Sequence, residues 1–165
     1  MNVAARLVVV TAVTFGLMYS SVTGASAARP EKENFTFSFD FTDTSLCGFP
    51  INASLQFVGF EIGFFDQSGD LKRVAFHVEE QDTYTANGTT LVSEPYTFNG
   101  QLRFSDDELV SFEAHGILVK VRLPDGSIFM GAGSTDILAR SSDEFIVAPD
   151  HGVAKNQDAF CAALS

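Results

Sequence analysis

The sequence lacks tryptophan and is poor in cysteine and in basic residues. Its 165 residues include two Cys, and ten Lys and Arg stand against 21 Asp and Glu, a formal net charge of −11. So acidic a chain lacks the basic surface that nucleic acids and anionic membranes require. Without tryptophan it has neither the G-x-W signature of lipocalins nor the biotin-site tryptophans of avidin-like barrels.

Motifs of the common enzyme and metal sites are also absent. The chain has no G-x-S-x-G, no Walker motif, no H-E-x-x-H and no C-x-x-C. The acidic turn at residues 66–70 lacks the spacing and the distal Glu of a calcium loop. Because 21 acidic residues offer many possible carboxylate pairs, no single pair indicates a catalytic site. We predict no catalytic residue, no metal site and no cofactor.

Long apolar runs are missing except at the N terminus. Residues 7–18 are almost entirely apolar, follow Arg6 and precede the small residues Ala25-Ser26-Ala27-Ala28. This arrangement indicates a secretory signal peptide, and the run is shorter than the ~20 residues of a membrane span. We predict a signal peptide at residues 1–28, a secreted protein, and no membrane attachment after cleavage.

The mature chain then has 137 residues (165 minus 28), nine Lys and Arg, and 21 Asp and Glu, a net charge of −12 (9 minus 21). That length suits one domain with its own core. We predict a disordered tail at residues 29–34 and a single β domain at residues 35–165.

The two cysteines, Cys47 and Cys161, favour a disulfide bond. Outside the cell an even number of cysteines usually forms bridges, and these two allow a single pairing. Free thiols and a catalytic thiol are the alternatives. A catalytic thiol needs a nearby base, and nothing in the sequence places a histidine beside Cys47.

The body of the chain has the pattern of short β-strands. Residues 35–42 alternate Phe with polar residues, as a strand with one buried face does. In residues 51–65 the apolar positions change parity near Gly59, which predicts a β-bulge. Asn87-Gly88 and residues 124–127 predict tight turns. Further strands are expected at residues 74–78, near Tyr84, and at 91–92, 98–104, 109–114, 117–123, 127–130, 135–139 and 144–147.

This pattern predicts an all-β fold of about 8–10 strands, with Asp158 to Leu164 as a short C-terminal helix. Because tight turns join sequential neighbours, we expect an antiparallel up-and-down β-barrel or a closed, barrel-like sandwich. Gly131-Ala132-Gly133 is expected to bend the chain at a barrel corner.

Two pairs of side chains are the best candidates for a polar site: His77 with Glu79, and Glu113 with His115. Residues two apart share one face of a strand, so each pair could present an imidazole beside a carboxylate. However, Val74, Phe76 and Val78 take the inward positions of the first strand, which turns His77 and Glu79 outward. The same reasoning turns Glu113 and His115 to solvent. His151 is expected in a loop.

Four segments resemble, in this order, motifs of small secreted proteins of actinobacteria. They are FTDTSLCGFP at residues 41–50, YTANGTTL at 84–91, HG at 115–116 ahead of LPDG at 123–126, and DAFCAAL at 158–164. The resemblance covers most of the mature chain. It implies an exported β-rich protein, carries no activity, and supports the pairing of the two cysteine motifs. It also implies that the glycosylation sequons at Asn34, Asn52 and Asn87 are coincidental.

The sequence therefore predicts a secreted, non-enzymatic binding or interaction domain with an unidentified ligand. Its sixteen mature Phe residues either line a cavity for a small apolar ligand or fill a solid core. The alternative is a barrel enzyme without a sequence motif, of isomerase or cyclase type, with a small apolar substrate in a Phe-lined cavity.

Overall fold

A single antiparallel sheet makes up most of the computed structural model, which describes residues 30–139 and 149–165. The predicted signal peptide and the strand predicted at residues 144–147 lie outside these residues. The strands are β1 (Glu31–Asp43), β2 (Ile51–Phe65), β3 (Leu71–Ala86), β4 (Thr89–Val92), β5 (Tyr96–Ser105), β6 (Glu108–Arg122), β7 (Ile128–Asp136) and β8 (His151–Lys155), followed by helix α1 (Gln157–Ala163). The antiparallel all-β prediction is confirmed.

The strands follow one another as a meander, in the order β1-β2-β3-β5-β6-β7-β8, and the short β4 pairs with β3. The predicted barrel closure is wrong. Among the described strands, β1 pairs with β2 alone and β8 with β7 alone. A closed barrel requires the two end strands to pair with each other. Here β1 has thirteen residues, whereas β8 has five.

The eight strands of the described residues fall within the predicted 8–10, and several of them are longer than expected. Residues 74–78 and Tyr84 belong to one strand, β3. β6 runs through Gly116, which has a φ of 132° and lies beside a shift in the β6–β7 register. β7 likewise continues through Gly133. His151 begins β8 rather than lying in a loop, and β1 begins at Glu31, inside the segment expected to be a disordered tail.

The alternating phenylalanines of β1 share one face, as predicted. We call this the inner face of the sheet, because the core packs against it. The predicted change of parity in β2 is wrong: the β1–β2 register is unbroken, and Gly59 is opposite Phe35 without a bulge. Val58 is therefore on the outer face, 53% exposed, while Glu61 is on the inner face and buried. The one register shift between β2 and β3 lies at Phe64/Phe65.

Gly133 lies at a position where a side chain would clash with the backbone of the neighbouring strand. It pairs with Gly116 of β6 and with Gly152 of β8, so three glycines cross the sheet in one row. A Cβ on Gly133 would collide with the His151 carbonyl oxygen and lie 2.8 Å from Gly152 Cα. The bend predicted at Gly131-Ala132-Gly133 for a barrel corner is therefore absent. Gly133 instead allows the backbones of β6, β7 and β8 to approach closely within the open sheet.

The core has two apolar clusters on the inner face. One is formed mainly by β3, β5 and β6 and includes Val74, Leu102 and Phe112. The other lies under α1 and includes Phe160 and Phe129, whose rings stack with centroids 4.2 Å apart. β3 contributes to both clusters, and the two inward residues between its contributions are Glu80 and Asp82.

The disulfide bond between Cys47 and Cys161 is confirmed, with the two Cα atoms 5.3 Å apart. It joins α1 to the loop between β1 and β2. Asp43 orders that loop, because its Oδ1 accepts hydrogen bonds from the backbone N–H groups of Ser45 and Leu46 at 2.9 and 2.7 Å. The Gln157 side chain also donates to the Leu46 carbonyl, at 2.9 Å. A bridge of this kind indicates an oxidising compartment.

Candidate functional site

The two predicted polar pairs lie on the outer face of the sheet. Glu79, Glu113 and His115 are exposed, and His77 is half-buried. His77 and His115 both flank Asn99 of β5, and the Nδ1 of His77 lies 2.8 Å from the Asn99 Oδ1. Glu113 accepts a hydrogen bond from Gln101 at 3.2 Å. No group of three metal-ligating side chains occurs among the described residues.

A buried acid pair, Glu80 and Asp82, lies on the inner face and was missed by the sequence interpretation. The two residues follow Val74, Phe76 and Val78 at the same parity, so they also point inward. Glu80 is 6% exposed and Asp82 is fully buried. Extending the alternation beyond Val78 would have found them. The apolar pattern ended there, so the strand was taken to end as well.

Two tyrosine hydroxyls hold the Asp82 carboxylate. Tyr84 and Tyr96 each donate a hydrogen bond to Asp82 Oδ2, at 2.6 Å in both cases. Tyr84 shares the inner face of β3 with Asp82, and Tyr96 is the β5 partner of Glu80. The Asp82 backbone is fixed as well, since its N–H donates to the Ser93 hydroxyl at 2.7 Å. Burial raises the pKa of both tyrosines, so their hydroxyls remain donors.

Burial and mutual repulsion favour the protonated forms of the two acids. Burial raises the pKa of Glu80 well above its ordinary value, and the neighbouring Asp82 raises it further. Burial also raises the pKa of Asp82, but its hydrogen bonds from the two tyrosines oppose that rise. The rise is larger for Glu80, so the pair favours a neutral Glu80 beside Asp82, whose Oδ2 accepts the tyrosine hydrogen bonds. Such a pair can give a proton to a bound group or accept one from it.

A third buried carboxyl, Glu61, lies further along the inner face of β2. Burial and the charge of Glu33, its partner on β1, raise the pKa of Glu61 from 4.5 to about 7. Its side chain is 2% exposed, and its Oε2 has no hydrogen-bond partner.

The Glu61→Gln variant is expected to be more stable than the wild type at pH 8, by about 1–3 kcal/mol. Because the folded-state pKa of Glu61 is raised, the folded chain binds more protons than the unfolded chain between pH 4.5 and 7. Wild-type stability therefore falls as the pH rises through this range. The variant and the wild type should be similar at pH 4. Urea unfolding at both pH values measures the difference, and the exposed Glu79→Gln is the control. Equal stability of Glu61→Gln and wild type at pH 8 would contradict the burial penalty.

Four half-buried rings form what we call the phenylalanine surface: Phe35, Phe37 and Phe39 of β1 and Phe57 of β2. Phe37 and Phe57 stack with their ring centroids 4.5 Å apart. The register continues this surface into the acid pair, since Phe57 is opposite Glu80. Phe39 is opposite Leu55, which is opposite Asp82. A partly open apolar surface therefore ends at a few buried polar groups, the usual composition of a small-molecule site.

Comparison of the sequence with protein-family models, curated proteins and solved structures finds no match. The resemblance to secreted actinobacterial proteins therefore stays a prediction. The described residues include no helix with the length and apolar character of a membrane span.

Proposed function

We propose that the protein is a secreted, non-enzymatic domain that binds a small apolar ligand on the phenylalanine surface. The observation that carries this proposal is the half-buried state of Phe37 and Phe39. Both rings are on the inner face, yet neither belongs to the two buried clusters of the core. A ligand that covered them would remove apolar area from water, which contributes roughly 25 cal/mol per Å². The net charge of −11 favours the solubility of such a domain outside the cell.

The Phe37→Ala variant is expected to bind an uncharged fluorescent probe, N-phenyl-1-naphthylamine, about five- to tenfold more weakly than the wild type. The stacked Phe37–Phe57 pair would lose one of its two rings. Fluorescence titration measures both affinities. Val58→Ala is the matched control, because Val58 is a half-exposed apolar residue on the outer face of β2. The proposal fails if the wild type does not bind the probe, or if both variants lower its affinity equally.

Native mass spectrometry of protein purified from its own culture medium tests the same proposal without a chosen probe. Additional mass that leaves on denaturation would identify a natural ligand. The mass of the chain itself would give the cleavage site and so test secretion through a signal peptide.

The acid pair favours a second candidate function, an enzyme of isomerase or cyclase type. A neutral Glu80 beside a charged Asp82 offers a proton donor and an acceptor next to the phenylalanine surface. The two candidates differ in the fate of the ligand. A binding domain returns it unchanged, whereas an isomerase returns a compound of equal mass and different chromatographic retention, and the Asp82→Asn variant would not.

A further inference from the structure

We propose that two copies of the chain associate through the open edge of β1, with the two β1 strands antiparallel and Thr36 opposite the partner's Thr36. The partner is a second copy of this chain, and the two sheets become continuous. The dimer does not require the ligand proposed above, so each can be tested without the other. Association also places the phenylalanine surfaces of the two copies side by side.

β1 is a long edge strand with a described neighbour on one side only. Its thirteen residues pair with β2, so every second residue directs its backbone N–H and C=O groups to the open edge. Residues 34–39 contain neither a charge nor a proline, and the β1–β2 register has no bulge. These are the features that usually prevent an edge from pairing. β8, at the other end of the sheet, has five residues and carries Lys155, so β1 is the better template for a further strand.

Charge selects one register for two paired β1 strands. The even-numbered residues of β1 form its outer face, and Lys32 and Asp40 are the two charged residues among them. Both are four residues from Thr36, so an antiparallel pair centred on Thr36 places Lys32 opposite the partner's Asp40. Two-fold symmetry gives the same contact twice. In no other antiparallel register is Lys32 opposite an acid on this face.

Both charged side chains are available for this contact. Lys32 and Asp40 are exposed, and neither forms an ion pair within the described residues. The Lys32 ammonium lies 3.8 Å from the centroid of the Phe60 ring, a weak contact at an exposed site. The ammonium has three N–H donors, and its flexible stem allows it to reach a carboxylate of a second copy.

The same register also suits the inner face. Phe35 is opposite the partner's Phe37, and the symmetry repeats this aromatic pair. Both rings are half-buried in one copy, so their pairing removes further apolar area from water. Glu33 is opposite the partner's Phe39, and no acid is opposite another acid. The overlap covers residues 31–41 of each copy, so the loop between β1 and β2 stays outside the interface.

Exchange of the two charges tests the contact, with sedimentation velocity of the mature chain over a range of concentrations as the measurement. Wild type should form a dimer whose fraction rises with concentration. Lys32→Glu and Asp40→Lys should each weaken the dimer about tenfold, because each places like charges opposite each other twice. The double variant should regain wild-type association. General repulsion between acidic chains would instead be relieved by Asp40→Lys.

Two matched controls accompany these variants. Lys72→Glu makes the same charge change at an exposed lysine that pairs with Asp66, away from β1, and should leave the dimer unchanged. Circular dichroism of each variant should match the wild type, because every changed residue is exposed.

A cysteine cross-link tests the register. Thr36→Cys places two thiols opposite each other with their Cα atoms about 4.5–5.5 Å apart, within the reach of a disulfide bond. Oxidised glutathione should then produce a covalent dimer on non-reducing electrophoresis, with reduced glutathione as the other product. Ser38→Cys, on the same face of β1, is opposite the partner's Asn34 and should stay free of this cross-link.

Three results would overturn the dimer: a wild type that is monomeric at every concentration, a charge-exchanged variant that does not recover, or equal cross-linking of Thr36→Cys and Ser38→Cys. A monomer that binds N-phenyl-1-naphthylamine would overturn the dimer alone. A dimer that does not bind the probe would overturn the proposed function alone.

Discussion

Replacing both Cys47 and Cys161 with serine is expected to lower the free energy of unfolding by about 4–5 kcal/mol. The bridged residues are 114 positions apart, so the bond removes much of the chain entropy of the unfolded state. It also fixes α1 against the sheet, where the helix covers one of the two core clusters. Since small domains are stable by only about 5–15 kcal/mol, this loss is a large part of the total stability. Guanidinium unfolding followed by circular dichroism measures the change.

Reduction of the wild type provides the matched control for this prediction. A reducing agent should bring the wild type to the stability of the double variant and should leave the variant unchanged. A loss below about 1 kcal/mol would mean that the helix and loop hold together without the bond, through contacts such as the Gln157–Leu46 hydrogen bond.

The Phe160→Ala variant is expected to lose about 3–5 kcal/mol of stability, the second largest effect. Phe160 is fully buried beneath α1, stacked on Phe129 and edge-on to Tyr84, with ring centroids 5.3 Å apart in the second pair. The helix cannot move inward to fill the cavity, because the neighbouring Cys161 is bonded to Cys47. Thermal and denaturant unfolding both report the loss.

Two control variants accompany this prediction: a conservative change of Phe160 and a change at a half-exposed residue. Phe160→Leu keeps most of the buried volume and should cost clearly less than Phe160→Ala. Val153→Ala, at a half-exposed position of β8, should stay within about 0.5 kcal/mol of the wild type. Equal losses in the two Phe160 variants would show that ring stacking, and not cavity formation, determines the cost.

A strand's sequence predicts its buried face only when the other face is polar. β1 was predicted correctly because its outer face is polar and its inner face aromatic. The prediction for β2, a change of parity near Gly59, was wrong because both faces of that strand carry phenylalanine. The outer rings Phe60 and Phe64 are covered by Lys32 and Arg73, which come from neighbouring strands. A single strand's pattern cannot reveal such a partner, so the apolar run in β2 did not identify the inner face.

The acid pair was missed because polar residues occupy inward positions of β3. The pattern argument assumes that inward positions are apolar, and the acid pair violates this rule within β3. The Asp82 carboxyl group is stabilised there because Tyr84, two residues away, and Tyr96, on a neighbouring strand, both donate hydrogen bonds to its Oδ2. Sequence spacing contains the first of these partners, Tyr84. It does not contain Tyr96, which the register of β3 and β5 brings into place.

The meander and the bridge also determine the order in which the chain is completed. Most strands pair with the strand made just before them, so the sheet can assemble progressively from contacts close in sequence. Cys47, however, must wait for the final helix, 114 residues later, before its partner exists. Until then its thiol is open to oxidation and to bonding with other chains. Completion of the C-terminal helix therefore decides whether Cys47 closes the intramolecular bridge or forms a mixed disulfide with another chain.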